Sequence, residues 1–89
     1  MSPNSDTAEA RIVLPAHLHA RPAGALARAA AGFESDVEIS HQDRTVNPVG
    51  ILAVMSLGAT AGATVTVRAQ GADAHQAVTE LAALLRTID

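Results

Sequence analysis

Apolar and polar positions along the chain fall into seven short stretches with distinct periods. Ala10, Ile12 and Leu14 alternate with Arg11 and Val13, which predicts a brief strand with one buried face; Pro15 to Leu18 interrupts it. From Ala20 to Gly32 the period becomes helical: Ala23, Leu26, Ala27 and Ala30 share a stripe that Arg28 avoids. Pro22 suits a first helical turn, where its missing N–H costs little, and Gly32 suits a helix end. Val37 to Ser40 alternates again, His41-Gln42-Asp43-Arg44 reads as a turn, and Thr45 to Asn47 can return as the partner strand before the break at Asn47-Pro48. Gly50 to Leu57 is apolar nearly all round. A short helix cannot bury Ile51, Leu52, Ala53, Val54, Met55 and Leu57 together in a small domain, so part of this surface is expected in water. Ala63, Val65, Val67 and Ala69 alternate with Thr64, Thr66 and Arg68 in the clearest strand of the chain. After Gly71, the stripe Ala74, Ala77, Val78, Leu81, Leu84, Leu85 and Ile88 predicts a long helix. The order βαββαβα gives an α+β domain: a four-stranded antiparallel sheet with three helices on one face and water on the other.

At 89 residues this is one domain, too small for a deep substrate cleft. Residues 1–9 are polar, with Pro3, Asn4, Ser5 and Asp6, and read as a flexible leader to a domain over 10–89. They lack the basic start and apolar run of a secretory signal, so a soluble cytoplasmic protein with no membrane insertion is expected. A net charge of −3, with Phe33 the only aromatic residue of the Phe, Trp and Tyr class, argues against a nucleic-acid partner. No cysteine is present, which removes disulfides, thiol catalysis and thiolate metal sites.

The predicted start of the first helix carries the chemistry. With His19 at its N-cap, the backbone N–H groups of Ala20 and Arg21 are donors without intrahelical partners, and the helix dipole adds partial positive charge. Together they suit an anion such as a phosphoryl group. Arg21 contributes a permanent cation whose forked donors match phosphate oxygens. The same field disfavours an imidazolium and leaves a neutral ring able to attack. A lone histidine after a strand is more often a surface loop residue, and helix starts also take up adventitious anions.

The segment His17-Leu18-His19-Ala20-Arg21-Pro22-Ala23 resembles the active-site signature of the HPr family, the histidine-containing phosphocarriers of the bacterial phosphoenolpyruvate-dependent phosphotransferase system, where the pattern is usually Gly-Leu-His-x-Arg-Pro-Ala. Val54-Met55-Ser56-Leu57-Gly58 resembles that family's second helix and its exit. The resemblance runs from about Ala10 to the end of the chain and implies an HPr-like open-faced sandwich. It implies that His19 is the residue phosphorylated, on Nδ1 (the pros nitrogen), that Arg21 assists transfer, and that the protein is a carrier rather than a stand-alone enzyme. Phosphate would pass from phosphoenolpyruvate through enzyme I to an EIIA component, with docking over Ala20, Gly24, Ile51, Leu52 and Met55 and no cofactor. An exposed apolar patch suits such docking, and methionine adapts to several partners. A carrier that presents one face to successive partners is expected to be a monomer.

Three departures stand out. His17 replaces the usual glycine; His17-x-His19 has no neighbouring acid, so no metal site is expected. Gly50 occupies the position of the regulatory serine found in many relatives from Gram-positive bacteria, so that switch is absent, and Ser56 is not its equivalent. Pro48 precedes the second helix and reshapes its approach. His41 and His75 read as solvated. Two alternatives stay open: a carrier in a non-sugar regulatory relay, and an HPr-like regulatory docking module that no longer carries phosphate.

Overall fold

The structure is a computed structural model describing residues 6–89. Its elements follow the order β1 (Thr7–Val13), α1 (Ala20–Ala30), β2 (Asp36–His41), β3 (Arg44–Val46), α2 (Ile51–Met55), β4 (Thr64–Gln70) and α3 (Ala74–Arg86). The strands form one antiparallel sheet in the order β1-β4-β2-β3. β4 is central because its alternation buries Val65, Val67 and Ala69 while its backbone serves β1 on one side and β2 on the other. α3 lies across β1, β4 and β2; α1 packs against α2 and α3.

The core is the layer between sheet and helices. Ile12, Ile39, Val65 and Val67 meet Leu26, Val54, Leu81 and Leu85, all essentially removed from water. Each such aliphatic side chain contributes about 1.5–3 kcal/mol on full burial. The opposite sheet face carries Glu9, Arg11, Glu38 and Arg68 in solvent, with Arg68 paired in register between Glu9 and Glu38. Among the described residues no helix is long and apolar enough to cross a membrane.

Three expectations need correction. β1 begins at Thr7, not Ala10: Thr7, Ala8 and Glu9 pair with Gln70, Ala69 and Arg68, so the part of the supposed leader from Thr7 to Glu9 belongs to the sheet, while residues 1–5 lie outside the described residues. His41 closes β2 rather than opening the turn, and only Gln42 and Asp43 form the bend, with Gln42 in the left-handed region at φ 58°. α2 is shorter than Gly50 to Leu57, because Gly50 is its cap and Ser56-Leu57 its exit.

One glycine is fixed by both conformation and space. Gly71 has φ 144°, and a Cβ there would lie 2.9 Å from the Cα of Ser35. Just beyond it, the Asp73 carboxylate accepts the backbone N–H groups of Glu34 and Ser35, each at 2.9 Å, and the Ser35 hydroxyl. This cluster pins the α1–β2 connection to the start of α3. The three hydrogen bonds from Ser35 and Glu34 hold the Asp73 carboxyl below its ordinary range, the Ser35 hydroxyl contributing most.

Candidate functional site

His19 ends the β1–α1 connection and caps α1 in an extended conformation, φ −97° and ψ −163°. Its carbonyl accepts the Ala23 N–H at 2.9 Å and so opens the helical ladder. Its ring is exposed and makes no cap hydrogen bond, which leaves the N–H groups of the first turn, those of Ala20 and Arg21, facing the end where an anion would sit. Pro22 falls in that first turn and has no N–H to satisfy. No acidic side chain occupies the turn to oppose an anion.

The connection leading to His19 is laced to the one between α2 and β4. Leu14 donates to Ala63 and accepts from Gly62; Leu18, which is buried, donates to Ala59 at 3.0 Å. His17 adds a side-chain tie, its Nδ1 accepting the Ala61 N–H at 3.0 Å. The rings of His17 and His19 are 6.5 Å apart and tilted.

Arg21 reaches away from the cap. Its Nη2 donates to Asp89 at 3.2 Å, an ion pair with both side chains largely in water. Arg21, Pro22 and Ala25 here face Leu84, Ile88 and Asp89 across a shallow recess between the start of α1 and the end of α3. The expected guanidinium beside His19 is therefore engaged elsewhere in this structure, although its backbone N–H stays in the first turn.

The surplus of apolar residues on α2 is real. Leu52 is 81% exposed, Ile51 44% and Met55 38%, while Val54 alone of the helix is buried in the core. Ala20 is exposed as expected, but Gly24 is buried. The reason is local: a Cβ at Gly24 would lie 4.0 Å from Ile51 Cδ1 and 3.5 Å from Arg28 Nη1, so these side chains lie over it. Gly24 is thus covered by these side chains, at ordinary van der Waals distances, rather than offering surface of its own, and Arg28 adds a cation to the face. Gly50 caps α2 with no hydroxyl, and the Ser56 hydroxyl, at the other end, donates to Ala53 at 2.6 Å.

His75 is exposed, as read from the sequence, but His41 is not simply solvated. It is half-buried with Nδ1 3.0 Å from the Leu57 carbonyl; because a carbonyl only accepts, Nδ1 carries the hydrogen. With Arg44 donating to the Ser56 carbonyl at 3.1 Å, it satisfies the C-terminal end of α2 from the β2–β3 hairpin. Among the described residues no three histidine, aspartate or glutamate side chains gather as a metal site would require.

A family model described as "PTS HPr component phosphorylation site" matches residues 7–87. The chain belongs to the HPr family. Solved members superpose closely. The phosphocarrier HPr of Bacillus anthracis shares 33% identity over 89% of this chain and 96% of its own, with a TM-score of 0.82. An HPr from Thermoanaerobacter tengcongensis shares 31% over 90% of each chain, with a TM-score of 0.78. The Bacillus subtilis catabolite repression protein Crh shares 38% over 83% of this chain and 85% of its own, at a TM-score of 0.73, and is described as a domain-swapped dimer. The four-stranded sheet with three helices is that of the HPr family. Within this HPr-family chain, the sequence signature from His17 to Ala23 spans the loop, the cap and the first turn of α1, so the motif falls on a helix start with no side-chain cap and no acid in its first turn. The ties of His17 and Arg21 were not legible beforehand, because their partners lie 44 and 68 residues away.

Proposed function

We propose that this protein carries phosphoryl groups in a phosphotransferase system, with His19 as the acceptor. The supporting observation is an exposed histidine at the cap of an eleven-residue helix in a chain of this family. In the reaction, Nδ1 of a neutral His19 attacks the phosphorus carried by phosphorylated enzyme I. The new N–P bond forms as the bond to the donor nitrogen breaks, and that nitrogen keeps the electron pair. The charge then rests on the N–H groups of Ala20 and Arg21 and on the positive end of α1, a contribution of about 0.3–1 kcal/mol from the dipole alone. Attack by an EIIA histidine reverses these steps. Exposure of His19 matters for this second transfer, since a buried phosphohistidine would not reach its acceptor.

Arg21 joins by leaving Asp89. A solvent-exposed ion pair is worth about 0–1 kcal/mol, whereas a hydrogen bond to a charged group is worth about 1.5–3 kcal/mol, so a phosphoryl group at His19 competes successfully for the guanidinium. Ile51, Leu52 and Met55, with Ala20 beside His19, form the docking face for enzyme I and EIIA, and Gly24 lies beneath it. Gly50 has no hydroxyl, so a serine-directed kinase has no acceptor at that cap. The protein acts as a soluble cytoplasmic carrier and as a monomer.

A second reading is favoured by the 38% identity to Crh: a regulatory docking module using the same face. One experiment separates them. The purified protein is incubated with phosphoenolpyruvate and cognate enzyme I, and its intact mass is read before and after brief acid treatment. One acid-labile phosphoryl group, lost in His19→Ala, is the expected result. No label on the wild type would leave the docking reading in its place, and an unchanged label on His19→Ala would move the acceptor elsewhere.

A further inference from the structure

We propose that His17 is a positioning residue for phosphoryl transfer: its ring is the strut that fixes the backbone leading into His19. This inference rests on His19 being the acceptor.

The direction of the hydrogen bond at His17 is unambiguous. A backbone N–H can only donate, so Nδ1 of His17 accepts from Ala61 and carries no hydrogen. In the neutral ring the hydrogen therefore sits on Nε2. One residue on, the Leu18 N–H donates to the Ala59 carbonyl, with its side chain buried in the core. Two consecutive residues are thus clamped to the Ala59–Ala61 segment, one through its side chain and one through its backbone. His19 follows directly, exposed, with no side-chain hydrogen bond to the helix. The His19 ring makes no side-chain hydrogen bond to the helix, and its aromatic neighbour is the His17 ring itself at 6.5 Å, so its aim depends on His17 and on the backbone delivered by His17 and Leu18.

The far anchor is itself secured. Leu14 bonds to both Gly62 and Ala63, which holds the end of the same turn against β1. Ala61 therefore offers a fixed donor rather than a loose loop amide. The His17 ring is exposed, so its burial contributes little to the core. Its importance lies in orientation: transfer requires the attacking nitrogen, the phosphorus and the departing nitrogen to be nearly in line, and small misplacements are felt strongly in rate.

The geometry also names the substitution that preserves the strut. Asparagine places an acceptor oxygen on the same γ-carbon that bears Nδ1 in histidine, so His17→Asn retains the bond to Ala61, while His17→Ala removes it. The test is single-turnover labelling by phosphorylated enzyme I, with enzyme I varied to saturation, for the wild type, His17→Ala, His17→Asn, His19→Ala and the double variant His17→Ala/His19→Ala. The result expected is a roughly fivefold slower transfer in His17→Ala, the factor to which about 1 kcal/mol for one hydrogen bond converts. The loss falls on the rate at saturating enzyme I and not on the concentration giving half-maximal rate, and His17→Asn recovers most of it. Equal rates for the wild type and His17→Ala would overturn the proposal. So would a slow His17→Asn that, by its amide spectrum, retains the Ala61 hydrogen bond. A label that survives in His19→Ala and vanishes in the double variant would make His17 an acceptor and overturn its positioning role. Failure of the wild type to label would instead refute the acceptor function of His19, a result distinct from all of these.

Discussion

Leu52 is the most exposed large apolar residue of the α2 face, and truncating it separates docking from folding. Four-fifths of its surface is in water, at 81% exposure, so Leu52→Ala removes little that the fold uses. Its effect on stability is expected within about 0.5 kcal/mol of zero, the range for surface changes that break no cap, charge pair or core contact. In a complex the arithmetic differs. Burying a leucine side chain contributes about 1.5–3 kcal/mol, and with most of the surface still available, truncation should cost about 1–2 kcal/mol of association, or roughly 5- to 30-fold in affinity. The measurement is a calorimetric titration of each variant into enzyme I, alongside denaturant unfolding of the free protein. Val13→Ala is the matched control, since Val13 is 65% exposed but stands among the solvent-facing positions of β1. It should leave affinity unchanged. If Leu52→Ala binds like the wild type, or if Val13→Ala weakens binding equally, the α2 face is not where partners dock.

The remaining predictions concern the site's charges and the cluster behind it. Arg21→Ala should slow transfer to His19 while leaving stability almost unchanged, because its ion pair with Asp89 is exposed on both sides; a normal single-turnover rate would remove its assigned role. Asp89→Asn, which frees the guanidinium, should leave transfer equal or faster, and a slowing comparable with Arg21→Ala would show the pair itself to be the active arrangement. Gly71→Ala should destabilise the fold by about 2–4 kcal/mol, combining the left-handed penalty with the clash against Ser35, and unfolding midpoints matching the wild type would refute that reading. Asp73 has its folded-state pKa lowered by Ser35 and Glu34, so its contribution is complete above the ordinary carboxylate range and disappears as pH falls through the folded-state value. The stability gap between wild type and Asp73→Asn should therefore narrow on acidification; a gap independent of pH would contradict the assignment.

Where the fold was readable in advance, the reason is periodicity with strong contrast. β4 alternates valine and alanine with threonine and arginine, and its burial follows that alternation residue by residue. The α3 stripe buries Ala74, Ala77, Val78, Leu81 and Leu85 as its period requires. The start of β1 was not readable, because Thr7, Ala8 and Glu9 offer weak contrast and owe their conformation to Arg68, Ala69 and Gln70 across the sheet. The site divides similarly. His19 at a helix cap follows from local signals, the change of period and Pro22. The partners of His17, Arg21 and His41 are tertiary contacts that no local pattern encodes. Gly24 illustrates the same limit: its residue type is compatible with an exposed docking position, yet the covering by Ile51 and Arg28 exists only once α1 and α2 meet.

The strand order carries a consequence for how the chain comes into being. β1 leaves the ribosome before the other three strands but occupies a sheet edge whose neighbour among the described residues is β4, the last of the four to emerge. Until residue 70 emerges, neither β1 nor β2 has the shared partner that joins them, and only the β2–β3 hairpin can pair between local segments. Because that closure joins segments far apart in sequence, it is slow relative to helix formation. The turn that steadies His19 lies in the same late segment, at Ala59 to Ala63. The nascent chain therefore displays His19, the proposed acceptor, long before the segment that holds its backbone exists, and on that proposal competence for transfer waits for closure of the sheet.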